Sequence, residues 1–141
     1  MSETIFRHAY RVIYADCTDG NHLYYARYLN LLEGARGEFF RSREIPFSKL
    51  QGDGLIFPVI ECHLRYKSPA RYDDLLSIEV WLTKLHGVRV NFAYRAVNQH
   101  NSLLLEGETF HVCTDLQEKL KRLPKELMAR LVPCLRENKD G

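Results

Sequence analysis

The sequence predicts an α+β domain in which a curved, five-stranded, mainly antiparallel sheet wraps around one long central helix, with a short helix near the C-terminus. Three observations carry this expectation. Apolar residues recur at helical spacing from Leu23 to Arg43, side chains alternate in polarity along five other stretches, and short turns separate the later ones.

The first strand is expected from about Ile5 to Tyr14. Phe6, His8, Tyr10, Val12 and Tyr14 share one face there, with Arg7 and Arg11 on the other. The segment CTDGN then supplies turn and cap formers. In the long helix, Tyr25, Tyr28, Leu29, Leu32, Ala35 and Phe39 make one apolar stripe. Gly34 and Gly37 each weaken a helix relative to alanine, so they are expected where sheet backbone comes close. Pro46, Gly52 and Gly54 mark a loop.

Four strands should follow. Leu55 to Tyr66 precedes the turn-rich KSPARYDD. Leu75 to Lys84 sets Leu76, Ile78, Val80 and Leu82 against Ser77, Glu79 and Thr83. His86-Gly87 turns into Val88 to Val97, and the polar Asn98 to Ser102 leads into Leu103 to Thr114. Such short connections predict an antiparallel meander. Pro124 to Leu135 reads as the terminal helix, with Pro124 in its first turn and Leu127, Met128, Leu131 and Leu135 on its apolar side.

At 141 residues, without repeat or linker, the chain is expected to form a single domain, 1–141. Its 20 basic and 18 acidic residues leave a charge of +2, which argues against a nucleic-acid partner. MSETIFRHAYR has no apolar core of signal-peptide length and no run is long enough to span a membrane, so the expected location is cytoplasmic. Cys17, Cys62, Cys113 and Cys134 form no C-x-x-C pair and are expected as reduced thiols, mostly interior. No metal-ligand spacing and no glycine-rich phosphate loop is present, so neither metal nor cofactor is expected.

The order of elements matches the hotdog fold, and the motifs agree. YADCTDGNHLYYARYLNLLEGARGEF, Tyr14 to Phe39, resembles the signature of the 4-hydroxybenzoyl-CoA thioesterase family. That signature is a Y-x-D-x-D loop, a Gly-His-Val-Tyr-Tyr-like turn, A-x-Y-L and E-x-x-R. Its counterparts here are Tyr14, Asp16, His22 to Tyr25, Ala26, Tyr28-Leu29, and Glu33 with Arg36. FPVIECHLRYKSPARYDDLLSIEV resembles the family's strand, PA-x-x-x-D turn and next strand. Gly107, Thr109, His111, Asp115 and Arg122-Leu123-Pro124 are similar to its end.

The resemblance implies a thioester hydrolase acting on acyl-CoA, with an acyl carrier protein as the other candidate acyl donor. It also implies a cleft between subunits, hence a homodimer or a tetramer of two such dimers. The family places the substrate carbonyl at the helix start, where the matching amide is that of Tyr25, among donors suited to an oxyanion. One position departs: Thr18 stands where the family's second Asp, its catalytic carboxylate, is expected.

Asp19 lies one residue beyond and is the first candidate to replace that carboxylate, with helix capping as its alternative role. Asp16 is the second, with loop fixation as its alternative. Thr18 can hold a water but cannot act as a base at neutral pH. His22 is a candidate for orienting water or meeting the thioester oxygen. Glu33 and Arg36 have the spacing of a surface ion pair. Arg65, Lys67, Arg71 and Arg89 are candidates for the coenzyme phosphates, or simply solvated charges. The departure at Thr18 keeps open a catalytically silent dimer that binds acyl-CoA or a protein. Hydration or dehydration of enoyl thioesters is the third option.

Overall fold

The computed structural model describes residues 4–136; residues 1–3 and 137–141 of the expected single domain lie outside the described residues. The strands are β1 (Phe6–Arg11), β2 (Val59–Tyr66), β3 (Leu75–His86), β4 (Arg89–Val97) and β5 (Leu103–Val112). The helices are α1 (Arg27–Ser42), α2 (Phe47–Gly52) and α3 (Lys125–Leu131). One five-stranded sheet runs in the order β1-β3-β4-β5-β2, with every neighbouring pair antiparallel. The expected meander holds for β3 to β5 only. β2 bypasses β3 and adds to the far edge against β5.

Alternation decides which face is buried. The register aligns Val80, Tyr94, Gly107 and Leu64 across four strands, and Leu82, Phe92, Thr109 and Cys62 beside them. This face packs on Tyr28, Leu31, Leu32, Ala35, Phe39 and Phe40 of α1, and Phe39 meets Phe6 and Phe92 edge-on. Burying this many large apolar side chains is the main force holding helix to sheet. On the opposite face, Arg7, Glu79, Arg95, Glu106 and Arg65 form one row of alternating charge across all five strands. Its bridges, Arg7–Glu79 at 3.3 Å, Arg95–Glu79 at 3.2 Å and Arg65–Glu106 at 3.9 Å, are partly exposed, each worth about 0–1 kcal/mol.

The long helix starts at Arg27, four residues later than its pattern predicts. The backbone before it is engaged elsewhere: Leu23 bridges Cys17 and donates to the Ala70 carbonyl, while Tyr24 donates to the Asp16 carbonyl. The stripe is also rotated from the expected one. Tyr25 and Leu29 are exposed, and Leu31 and Phe40 take places in the core. Nor do the glycines face the sheet. Gly34 has no neighbour within 4 Å of a built Cβ, and a Cβ on Gly37 would meet Phe47 of α2 at 3.3 Å. That short helix lies in the expected loop, anchored by buried Leu50.

Cys113 and Cys134 are buried, Cys17 is half-buried and Cys62 is exposed on β2, all as free thiols. Among the described residues no helix is long and apolar enough to cross a membrane.

Candidate active site at the start of the long helix

Asp16 sits in a 3₁₀ turn (Tyr14–Asp16), only 2% exposed. It accepts from the Tyr10 hydroxyl at 2.6 Å, the Ile13 amide at 3.0 Å and Arg27 Nε at 2.9 Å. Burial alone would raise its pKa, but these three bonds and the Arg27 charge outweigh it and hold the carboxyl below its ordinary range. Burial and the same carboxylate push the Tyr10 hydroxyl up to about 12. Asp16 therefore ties β1, the loop and the helix start together, on the wall of a separate cavity that it shares with His8, Tyr10 and Asn30.

A tight hairpin follows. Cys17 and Leu23 bridge, the Thr18 amide and hydroxyl both donate to the His22 carbonyl at 2.8 and 3.2 Å, and Asn21 turns the chain with φ of 59°. Asn tolerates this left-handed conformation better than most residues. Its side chain accepts from the Tyr72 amide at 3.0 Å, pinning the hairpin to the turn before β3. Thr18, Asp19 and His22 are exposed, and the side chains of Asp19 and His22 have no hydrogen-bond partner among the described residues.

The chain then enters α1 through Ala26, which offers no side-chain cap. The amides of Tyr25 and Ala26 have no acceptor among the described residues. Uncapped amides at a helix start can receive an acceptor carrying developing negative charge. Beside them opens a cavity of about 290 Å³ lined by His22, Tyr25, Tyr28, Tyr66, Lys67 and Ser68, among others. Tyr66 shapes it. Its hydroxyl donates to the Tyr25 carbonyl at 3.0 Å, and its ring packs edge-on to Tyr25 and Tyr28. Tyr28 in turn accepts the Ala70 amide at 3.3 Å, joining the helix to the PA turn.

His22, Tyr25 and Lys67 thus meet at one cavity, while Thr18 and Asp19 occupy the hairpin tip next to it. The other basic candidates are elsewhere. Arg65 points to the opposite face and pairs with Glu108 at 3.0 Å. Exposed Arg71 lies in the turn before β3, its amide donating to Asp74. Arg89 begins β4, at the end of the sheet remote from Tyr66 within one chain. Glu33 and Arg36 form no ion pair. Arg36 donates instead to the Tyr94 hydroxyl at 2.9 Å. Sequence reasoning missed Tyr66 and Tyr94. Both lie on strands with their rings toward the helix, a signal present in the alternation but not tied to the helix start. No group of three or more His, Cys, Asp or Glu among the described residues could hold a metal ion.

Comparison with known proteins bears on the family and the fold. A family model described as the thioesterase-like superfamily matches residues 12–131. An acyl-CoA thioester hydrolase, YbgC, of Escherichia coli is 37% identical over 130 residues, covering 92% of this chain and 97% of the relative. The acyl-CoA thioesterase YbgC of Haemophilus influenzae is 33% identical, covering 92% and 96%. A hypothetical protein from Thermus thermophilus superposes with a TM-score of 0.87 at 26% identity, covering 94% of this chain and 99% of that one. The five-stranded sheet and its long helix are those of the hotdog fold.

Proposed function

The chain belongs to the thioesterase-like superfamily, and from that premise we propose that it hydrolyses acyl-CoA thioesters to a free acid and coenzyme A at the start of α1. The observation that carries this reading is the helix start itself, where the amides of Tyr25 and Ala26 have no acceptor among the described residues and Tyr25 lines a cavity. The thioester oxygen accepts from the Tyr25 amide, which with the helix dipole stabilises the tetrahedral oxyanion. Water adds to the carbonyl carbon, the carbon–sulfur bond breaks, and the thiolate leaves as the thiol after taking up a proton.

Asp19 is the loop carboxylate assigned to activate that water. Asp16 has its oxygens committed to three donors and Thr18 has its hydroxyl on the His22 carbonyl, whereas Asp19 is uncommitted. His22, on the cavity wall and without a partner among the described residues, orients the water or the thioester. Lys67, on the cavity wall, is assigned to the coenzyme phosphates, with exposed Arg71 in the turn before β3 as a further cation for them. Arg65 is held by Glu108 and Glu106 on the other face, so it reaches them only by leaving those partners.

The active unit is a homodimer in this reading. β2 is an edge strand, and Val59, Ile60 and Tyr66 on it are each about half exposed; Tyr25, packed against Tyr66, is more exposed still. An edge of this length with apolar flanks is a template for pairing. Antiparallel pairing of two β2 strands continues the sheet and brings the remote end of one subunit, with Arg89, toward the helix start of the other. Pairs of such dimers give the tetramer.

Release of free thiol from a panel of acyl-CoAs and an acylated carrier protein tests the reading. Turnover of at least one is expected. Thr18 in place of the family's Asp favours a second reading, a silent dimer that binds acyl-CoA or a protein, and binding without thiol release would establish it.

A further inference from the structure

Another cavity, of about 200 Å³, lies farther along α1. Its walls are apolar, including Phe40, Phe47, Leu50 and Phe57, but Glu33, Arg36 and His111 also line it. Arg36 leads into a buried chain of hydrogen bonds whose direction is fixed at both ends. A guanidinium only donates and a backbone carbonyl only accepts. Arg36 Nη1 therefore donates to the Tyr94 hydroxyl (2.9 Å), Tyr94 to Thr109 Oγ1 (2.6 Å), and Thr109 to His111 Nε2 (2.8 Å). His111 carries its proton on Nδ1 and donates it to the Phe57 carbonyl at 3.0 Å.

Tyr94, Thr109 and His111 are at most 2% exposed, so this chain is a rigid backing for one guanidinium. Arg36 itself is half-buried and spends one of its donors on Tyr94. Among the described residues no carboxylate lies within ion-pair distance of it, and Glu33, one turn away, also has no partner. A cation partly withdrawn from water with spare donors calls for an acceptor. The cavity thus offers an apolar body and one fixed donor group, the pattern of a site that orients a ligand by its polar end.

The cavity and the helix start are linked by one face of α1. Tyr25, Leu29, Glu33 and Arg36 follow one another at spacings of four, four and three, on the face of α1 left open beside β2. At the rise of an α-helix, Arg36 lies about 14 Å along the axis from Arg27, and its side chain leans back toward that end. We propose that this cavity receives the far end of the acyl group, and that Arg36 selects acyl groups ending in an oxygen acceptor over plain alkyl ones. Carboxylate, carbonyl and hydroxyl ends share this chemistry. Tyr94, Thr109 and His111 are positioning residues that hold the guanidinium in place. The inference rests on the thioesterase reading for the identity of the ligand as an acyl group.

The test uses non-hydrolysable thioether analogues of acyl-CoA, equal in length and ending in methyl, hydroxyl or carboxylate, titrated calorimetrically into the full chain. Oxygen-ended analogues should bind about tenfold or more tighter than the methyl-ended one. Arg36→Met should erase this preference, Arg36→Lys should keep part of it, and Tyr94→Phe should weaken it. A variant that merely unfolds loses affinity for all analogues alike and shows it in its melting curve. Preference within about twofold in the native protein, or one unchanged by Arg36→Met, would overturn the inference. A thiol-release panel run alongside separates the two claims. Hydrolysis without end-group preference sinks this inference alone, preference in binding without hydrolysis sinks the enzymatic reading alone, and no binding by any analogue sinks both.

Discussion

Asp16 and Arg27 meet at 2.9 Å across the junction between the site loop and α1, with the carboxylate buried and the guanidinium half exposed. The pair, with Tyr10 and the Ile13 amide, makes Asp16 a structural anchor. Asp16→Asn should lower unfolding free energy by about 2–3 kcal/mol, because three donors lose a charged acceptor, with Arg27 partly rescued by water. Denaturant titration reads this directly. A variant of unchanged stability that had lost turnover would instead make Asp16 a catalytic group.

Asp19→Asn should leave the melting temperature within about 2 °C of the parent, since its side chain has no partner among the described residues, and should lower kcat by about a hundredfold. Thr18→Asp, which puts a carboxylate at the family's expected place, should raise kcat. Retained turnover in Asp19→Asn together with its loss in Glu33→Gln would move the base onto α1, where Glu33 has no partner among the described residues.

Ile60 is 51% exposed on edge strand β2. Ile60→Lys should shift the dimer toward monomer in sedimentation at micromolar concentration and reduce thiol release in proportion. A positive charge on each copy of a paired edge repels its symmetry mate and leaves apolar surface unmatched. An unaltered sedimentation profile with intact activity would place the interface elsewhere.

His111 should make stability depend on pH. Burial pushes its pKa down to about 4 from an ordinary 6.5, so the unfolded chain binds the proton more readily. Stability from this residue is present above pH 6.5 and is lost as pH falls toward 4, about 3 kcal/mol over the window. Asp16, whose pKa is also lowered, adds its own loss only in the carboxylate range below that. Chemical denaturation at pH 7 and pH 5 should show the decline, and His111→Gln should flatten it. A native protein equally stable at both values would contradict the buried neutral imidazole.

Gly107 lies where β5 meets β2. A Cβ there would sit 2.6 Å from the His63 carbonyl oxygen and 2.6 Å from Leu64 Cδ2. Since one obstacle is backbone, Gly107→Ala should destabilise the fold by about 2 kcal/mol and loosen β2, with faster amide exchange along Val59–Tyr66. Unchanged exchange would show that the two strands can part without cost.

The alternation of apolar and polar residues along β3, β4 and β5, and the helical spacing after Tyr28, were legible because each depends on a period of two or 3.6 residues along the chain. So was the succession of motifs that points to the family. Periodicity does not say where a backbone amide goes. The late start of α1 follows from Leu23 and Tyr24 donating to Ala70 and Asp16, partners that the sequence alone does not place together. The two free amides, the Tyr66 wall and the Arg36–Tyr94–Thr109–His111 chain likewise join residues up to 58 positions apart. The sequence by itself determined which residues can be buried and which family they spell. The tertiary structure alone decided which of them meet, because a hydrogen bond is set by distance in space and the chain's local pattern carries no record of it.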